Sequence, residues 1–170
     1  MNAHPGGEEH TRRMLETAAL PKGAKILDMG AGAGETVALL HSLGYECIGI
    51  DLAPRADFVR QGDFLCTGYS ENLFDAVISQ CAFFVSGNAP QAMREAHRVL
   101  KKGGLLLLSD VFFDDPVRML CDAAFEPVYQ EDLTGQWREY YLEALWREDE
   151  CSCPLSAGKC TYRFIIGRKC

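Results

Sequence analysis

The chain has 170 residues, 48% of them hydrophobic and 24% charged, with 16 Gly and 7 Pro, which is one domain's worth of ordinary globular composition. Its 17 Lys and Arg stand against 24 Asp and Glu, a net charge of −7. That balance argues against a nucleic-acid interface, because neutralising phosphates needs clustered cations. Apolar runs such as Leu105 to Leu108 are far too short to span a bilayer. The start from Met1 to Glu9 lacks a basic region followed by an apolar stretch, so no secretory signal is expected. Eight cysteines in such a chain are expected to be mostly reduced thiols in the cytoplasm.

Apolar runs and helical patterns alternate along the chain, the signature of an α/β domain with a mostly parallel sheet. From Glu8 to Leu20, Met14, Leu15, Ala18 and Ala19 share a helical face that Pro21 ends. Lys25 to Met29 reads as a short buried strand, followed by the glycine-rich stretch Gly30 to Gly34 and a helix from Thr36 to Leu43, with Gly44 at its C-cap. Tyr45 to Ile50 is a second strand, ending on Asp51; a third lies between Phe58 and Phe64, and Phe74 to Ser79 is a fourth. Pro90 to Leu100 is the clearest helix, with Lys101 and Lys102 complementing its dipole and Gly103-Gly104 terminating it. Leu105 to Ser109 is a fifth, aliphatic strand and therefore central. Asp115 and Pro116 open a helix to about Phe125, Pro127 to Gln130 is a sixth strand, Trp137 to Leu145 a helix, and Thr161 to Gly167 the last strand. No repeat or linker divides residues 1–170, which read as one domain.

The strongest functional signal is Leu27-Asp28-Met29-Gly30-Ala31-Gly32-Ala33-Gly34, between a strand and a helix. Glycines there let the backbone turn tightly and approach a ligand at the carboxyl edge of the sheet. A dinucleotide fingerprint wants Gly at position 35, which is Glu35. Asp28 and Glu35 flanking the turn would repel a pyrophosphate but suit a cationic amine. Asp51 ends the second strand, where an acid accepts ribose hydroxyls. Gly62-Asp63-Phe64 follows the third strand, where a carboxylate takes an adenine amine while the ring packs on the base. Adenine, ribose and a cationic amino-acid tail together describe S-adenosylmethionine.

On these residues, with Gly49-Ile50-Asp51, Phe74 to Ser79 and Arg94 to Gly104, the sequence resembles the class I S-adenosylmethionine-dependent methyltransferases. Within them it is similar to the small-molecule methyltransferases of the quinone-biosynthesis type. The resemblance runs from about residue 20 to residue 110. It implies a Rossmann-like, doubly wound, mostly parallel sheet of about seven strands with the last antiparallel. It also implies a cofactor site built from Asp28, Met29, Gly30, Ala31, Gly32, Gly34, Asp51, Leu52, Asp63, Phe64, Ser79 and Gln80. Gly30 and Gly32 would line the methionine portion, and Ser79-Gln80-Cys81 would lie by the sulfonium.

The spacing departs from the family in one place. Asp51 and Asp63 are 12 positions apart, too close for the helix that members usually carry there. The sheet beside strands two and three is therefore expected to be thinly covered, and closed by a second subunit in a homodimer or by the N-terminal segment. Residues 1–20, with His4-Pro5-Gly6-Gly7, are the expected lid.

Cys151, Cys153 and Cys160, in a cysteine-rich connection over 150–160, are weak metal candidates. Cys160 and Cys170 would sit about 30 Å apart at ~3.3 Å per strand residue and cannot share an ion. Cys81 is the candidate catalytic residue, read either as a small buried apolar residue like Cys66 or as a thiol holding a soft substrate, as in arsenite methyltransferases. His10, His41 and His97 are expected to face solvent, and Trp137, Tyr140 and Tyr141 to form a core stripe. The resulting expectation is methyl transfer from S-adenosylmethionine to a small-molecule acceptor, with no metal and no assigned general base. Two rivals stand beside it: a cofactor sensor without turnover, and a thiol-rich metal- or redox-responsive protein on the same scaffold.

Overall fold

The computed structural model describes residues 4–146 and 160–170. Its elements in chain order are α1 (Gly7–Ala18), β1 (Lys25–Met29), α2 (Glu35–Ser42), β2 (Glu46–Asp51), β3 (Arg60–Gln61) and β4 (Phe74–Gln80), then α3 (Ala89–Val99), β5 (Leu100–Phe112), α4 (Pro116–Asp122), β6 (Phe125–Asp132), α5 (Thr134–Trp146) and β7 (Thr161–Lys169). The strands form one seven-stranded sheet in the order β3-β2-β1-β4-β5-β7-β6. β3, β2, β1, β4 and β5 pair in parallel, and β7 runs antiparallel to β5 and β6. The doubly wound sheet implied by the resemblance is present, including its antiparallel last strand.

Strand periodicity of two explains the layering. Ile26, Ala76, Ile78, Leu107, Phe164 and Ile166 point to a face covered by Met14 and Leu15 of α1, Val37 and Leu40 of α2, and Trp137 of α5. Their neighbours Leu27, Val77, Leu106, Leu108 and Ile165 point to the opposite face, under Ala92, Met93, Ala96 and Val99 of α3 and Leu120 of α4. Because β1 pairs with β2 on one side and β4 on the other, the chain reverses its winding there. Such a switch point leaves a crevice at the carboxyl ends of the strands.

Several boundaries differ from the sequence expectation, and pairing explains them. α3 stops at Val99, and Leu100 to Gly104 belong to β5, because Leu100 pairs with Phe74 of β4. Lys101 therefore serves no helix dipole; its Nζ donates to Asp75 Oδ1 at 2.7 Å. α4 ends at Asp122 and Phe125 is already a buried strand residue, after a turn with Ala124 at φ +63°. The connection 52–59 has no helix, as its length implied, yet it does not leave the turn bare. It folds back on the glycine turn, with Val59 buried, while Leu52 and Phe58 remain more than half exposed.

Between β3 and β4 the chain is anchored by one carboxylate. Glu95 is buried; its Oε1 accepts the Thr67 amide at 2.9 Å and the Thr67 hydroxyl at 2.7 Å, and Arg98 donates to both of its oxygens. Burial raises the Glu95 carboxyl, but the bonds from Arg98 and Thr67 outweigh it and hold it at about 2. A folded-state value below the unfolded one contributes stability above the unfolded value that is lost as pH falls through the folded one. Glu95→Gln is therefore expected to cost about 1–3 kcal/mol in urea unfolding at neutral pH. The gap to the unsubstituted protein should close as the pH falls from 4.5 toward 2.

Candidate functional site

The crevice begins at the turn joining β1 to α2. The amides of Gly30 and Ala31 donate to Ile50 O at 2.9 and 3.0 Å, which ties the turn to the end of β2. Gly30 has φ +89° and Gly34 φ +78°, conformations that residues with a side chain rarely adopt. A Cβ at Gly30 would collide with Ala82 Cβ, and one at Gly34 with the Phe58 ring. These two glycines are thus required by packing of protein on protein. Asp51 completes the turn: Oδ2 accepts the Gly32 amide and Oδ1 the Ala53 amide, each at 2.9 Å.

A cavity of about 370 Å³ opens on this turn. Of the residues expected from the sequence, Asp28, Gly30, Ala31, Gly32, Asp51, Leu52, Asp63, Phe64, Gln80 and Cys81 line it. Met29, Gly34 and Ser79 do not. Met29 and Ser79 are fully buried behind the wall, where the Ser79 hydroxyl donates to Met29 O at 2.7 Å. Gly34 is buried beneath Phe58 and Val59. His4, the expected lid residue, does line the cavity. Sequence reasoning missed Thr36, Arg55, Leu65, Ala82, Val85 and Ser86. Ala82, Val85 and Ser86 had a readable signal, since they directly follow the fourth strand; Arg55 had none, because its place depends on how 52–59 folds back.

The site is acidic. Asp28, Glu35, Asp51 and Asp63 all line the cavity. Asp28 is 4% exposed, and its Oδ2 is buried with no hydrogen-bond partner among the described residues. Burial, and then the nearby Asp51 charge, push its carboxyl up to about 7. A buried carboxylate without a donor is costly unless a cation or donor reaches it. Asp63 is exposed and forms its own Asx-turn, Oδ1 accepting the Leu65 amide at 2.8 Å. Phe64 stacks on Phe83 with centroids 5.5 Å apart.

The far wall is a polar network beneath α1. Gln80 Nε2 donates to His4 Nδ1 at 3.3 Å, and Gln80 Oε1 accepts from the hydroxyls of Thr11 at 3.2 Å and Thr36 at 3.1 Å. The Thr11 hydroxyl also meets His4 Nε2 at 3.5 Å, closing a ring that seats the N-terminal segment. Cys81 has φ +56°, and its Sγ lies 3.3 Å from the Tyr162 hydroxyl, which accepts from Ser109 at 3.0 Å. Ser109 in turn contacts His10 Nε2 at 2.9 Å. His10 is therefore buried rather than solvent-facing; burial, then the neighbouring His4 and Arg13, lower it to about 4. His41 is exposed, as expected, with Nε2 2.8 Å from Cys47 O, whereas His97 is half-buried and edge-on to Phe125. Asp110, fully buried, accepts the amides of Phe84 and Val111 at 3.1 and 2.7 Å and so holds the loop after β4. Trp137 is a core residue, stacked parallel to Tyr162.

The cysteine expectations divide. Cys66 is exposed and Cys81 half-buried, so neither is a small core residue; Cys47 and Cys160 fill that role. Cys151 and Cys153 lie outside the described residues. Cys160 and Cys170 bracket β7, and among the described residues no three metal-ligating side chains cluster. No helix among them is long and apolar enough to cross a membrane.

Comparison with known proteins gives this geometry its family. Residues 27–108 match the model described as a methyltransferase domain. The sarcosine/dimethylglycine N-methyltransferase of Aphanothece halophytica is 32% identical over 115 residues, 58% of this chain and 40% of that protein. The arsenite methyltransferase of Aquipseudomonas alcaligenes is 30% identical over 155 residues, 74% of this chain and 44% of that protein. The chain thus spans less than half the length of these relatives. The structure of phosphoethanolamine N-methyltransferase 2 from Haemonchus contortus, in complex with phosphomonomethylethanolamine and S-adenosylhomocysteine, shares the fold. Its TM-score is 0.79 at 16% identity, over 98% of this chain and 54% of that one. With the glycine turn, the acids at the ends of β1 and β2 and the sheet order in place, the chain belongs to the class I S-adenosylmethionine-dependent methyltransferases.

Proposed function

We propose that the cavity binds S-adenosylmethionine and that the chain transfers its methyl group to a small-molecule acceptor by direct displacement. The observation that carries this reading is Asp28, a buried carboxylate with one oxygen unpartnered, in an acid-lined cavity beside the glycine turn. A volume of about 370 Å³ falls in the range of small-molecule sites. In this reading Asp28 takes the ligand's ammonium, and Gly30, Ala31 and Gly32 let the backbone approach its amino-acid portion. Asp51 keeps lone pairs for the ribose hydroxyls after accepting two amides, Asp63 takes the adenine amine, and Leu52 and Phe64 flank the base. Gln80 and Cys81 form the methyl-side wall, backed by Met29 and Ser79, while Gly34 seats the loop that closes over the turn. The cofactor supplies a methyl on a sulfonium, whose S–C electron pair leaves with the sulfur as a neutral thioether. The chain's own contribution is orientation and exclusion of water, which needs no dedicated base when the acceptor carries a free lone pair.

In the same reading residues 1–170 act as one cytoplasmic domain that binds no nucleic acid. Exposed Leu52 and Phe58, beside the short edge strand β3, are where a second copy would pair. Release of S-adenosylhomocysteine with a panel of sarcosine, dimethylglycine, phosphoethanolamine and arsenite tests turnover. Cofactor binding without release on any acceptor would instead mean a sensor. The Cys81 thiol in the cavity wall favours one second reading, a soft trivalent-arsenic substrate; Cys81→Ser should then abolish arsenite methylation and leave cofactor affinity unchanged. Asp51→Ala removes the acceptor of the Gly32 amide and is expected to weaken S-adenosylmethionine binding at least about tenfold by calorimetry. Unchanged binding would overturn the assignment.

The Asp28 carboxyl gives a pH signature. A cation selects the ionised form, so affinity should rise through about 7. It should be about tenfold weaker near pH 6 than near pH 8. Asp28→Asn should flatten that dependence. Without ligand the sign reverses: the native state binds a proton that the unfolded state releases near 3.8, so stability falls as pH rises toward 7.

A further inference from the structure

Among the residues lining the cavity, four are carboxylates and one, Arg55, is a Lys or Arg. Arg55 is placed there by its backbone, whose amide donates to Gly32 O at 2.9 Å. Its Nη2 lies 3.0 Å from where a Cβ on Gly32 would sit, so the guanidinium rests on the glycine turn. Despite four acids around the cavity, none is within ion-pair distance of Arg55 among the described residues. The position is a product of the short connection after β2: with no helix over 52–59, the chain turns straight back across the turn.

An α-amino acid group carries an ammonium and a carboxylate on one carbon. Asp28 and the other acids answer the ammonium, but the same charges repel the carboxylate. We propose that Arg55 holds the α-carboxylate of the bound S-adenosylmethionine or S-adenosylhomocysteine, as the counterpart to Asp28 on the ammonium. This rests on the cofactor reading above. The guanidinium suits the task because its planar fork matches both carboxylate oxygens, and its place on the turn is already set by the Gly32 contact.

Calorimetry with two ligands separates this from a purely structural role. One is S-adenosylhomocysteine; the other is its decarboxylated analogue, which keeps the adenosine, the thioether and the ammonium. The unsubstituted protein is expected to prefer S-adenosylhomocysteine, and Arg55→Gln to weaken it about tenfold while leaving the analogue unchanged. Arg55→Lys, which keeps the charge but not the fork, should fall between. Equal weakening of both ligands would assign Arg55 to the shape of the turn and overturn the proposal, as would no change in either. If the unsubstituted protein binds neither ligand up to about 1 mM, the cofactor reading itself fails, a result distinct from an Arg55 variant that binds normally.

Discussion

The turn between β1 and α2 is held in its left-handed conformations by protein packed against it from several directions. Ala82, from the loop after β4, sits where Gly30 has no side chain, and Phe58, from the loop after β2, sits over Gly34. Asp51 receives the Gly32 amide from below. Three strand ends thereby converge on five residues that line or underlie the cavity. The glycines allow the contacts because a Cβ at either position would meet the neighbouring chain.

The same convergence explains the electrostatics. Bringing Asp28 and Asp51 to adjacent strand ends places two carboxylates near one another, one of them buried. Such a pair costs free energy in the empty site, and a ligand cation offsets that cost. Asp110, equally buried, is treated differently by its surroundings. Burial raises it to about 6, but backbone amides of the loop after β4 draw the other way. One acid is left open toward the cavity; the other is consumed in holding the cavity's wall.

The network beneath α1 ties that wall to the N-terminal segment. Gln80 at the end of β4 reaches His4 before α1, Thr11 on α1 and Thr36 on α2 through a single side-chain amide. Cys81, next in sequence, is half-buried in the cavity wall, with its Sγ 3.3 Å from the Tyr162 hydroxyl on β7. The left-handed backbone at Cys81 adds strain that the Ser109 carbonyl helps to hold, accepting its amide at 2.9 Å.

Local patterns carried much of this into the sequence. The aliphatic strands, the glycine turn, and acids at the ends of β1 and β2 are readable because each depends on neighbours within a few positions. Ten of the residues read from those patterns, among them Asp28, Asp51, Asp63 and Gln80, line the cavity. Helix ends were less readable: Lys101 to Gly104 look like a helix terminus, but the pairing of Leu100 and Leu105 with β4 on either side makes them an irregular stretch of β5. Burial of His10 was invisible because Ser109, its partner, is 99 positions away. Arg55 on the turn, and Met29 and Ser79 behind the wall, were decided by packing. The sequence by itself determined the periodicities and the turn chemistry, which are local. Which side chains face the cavity was settled only when strands far apart in the chain lay side by side.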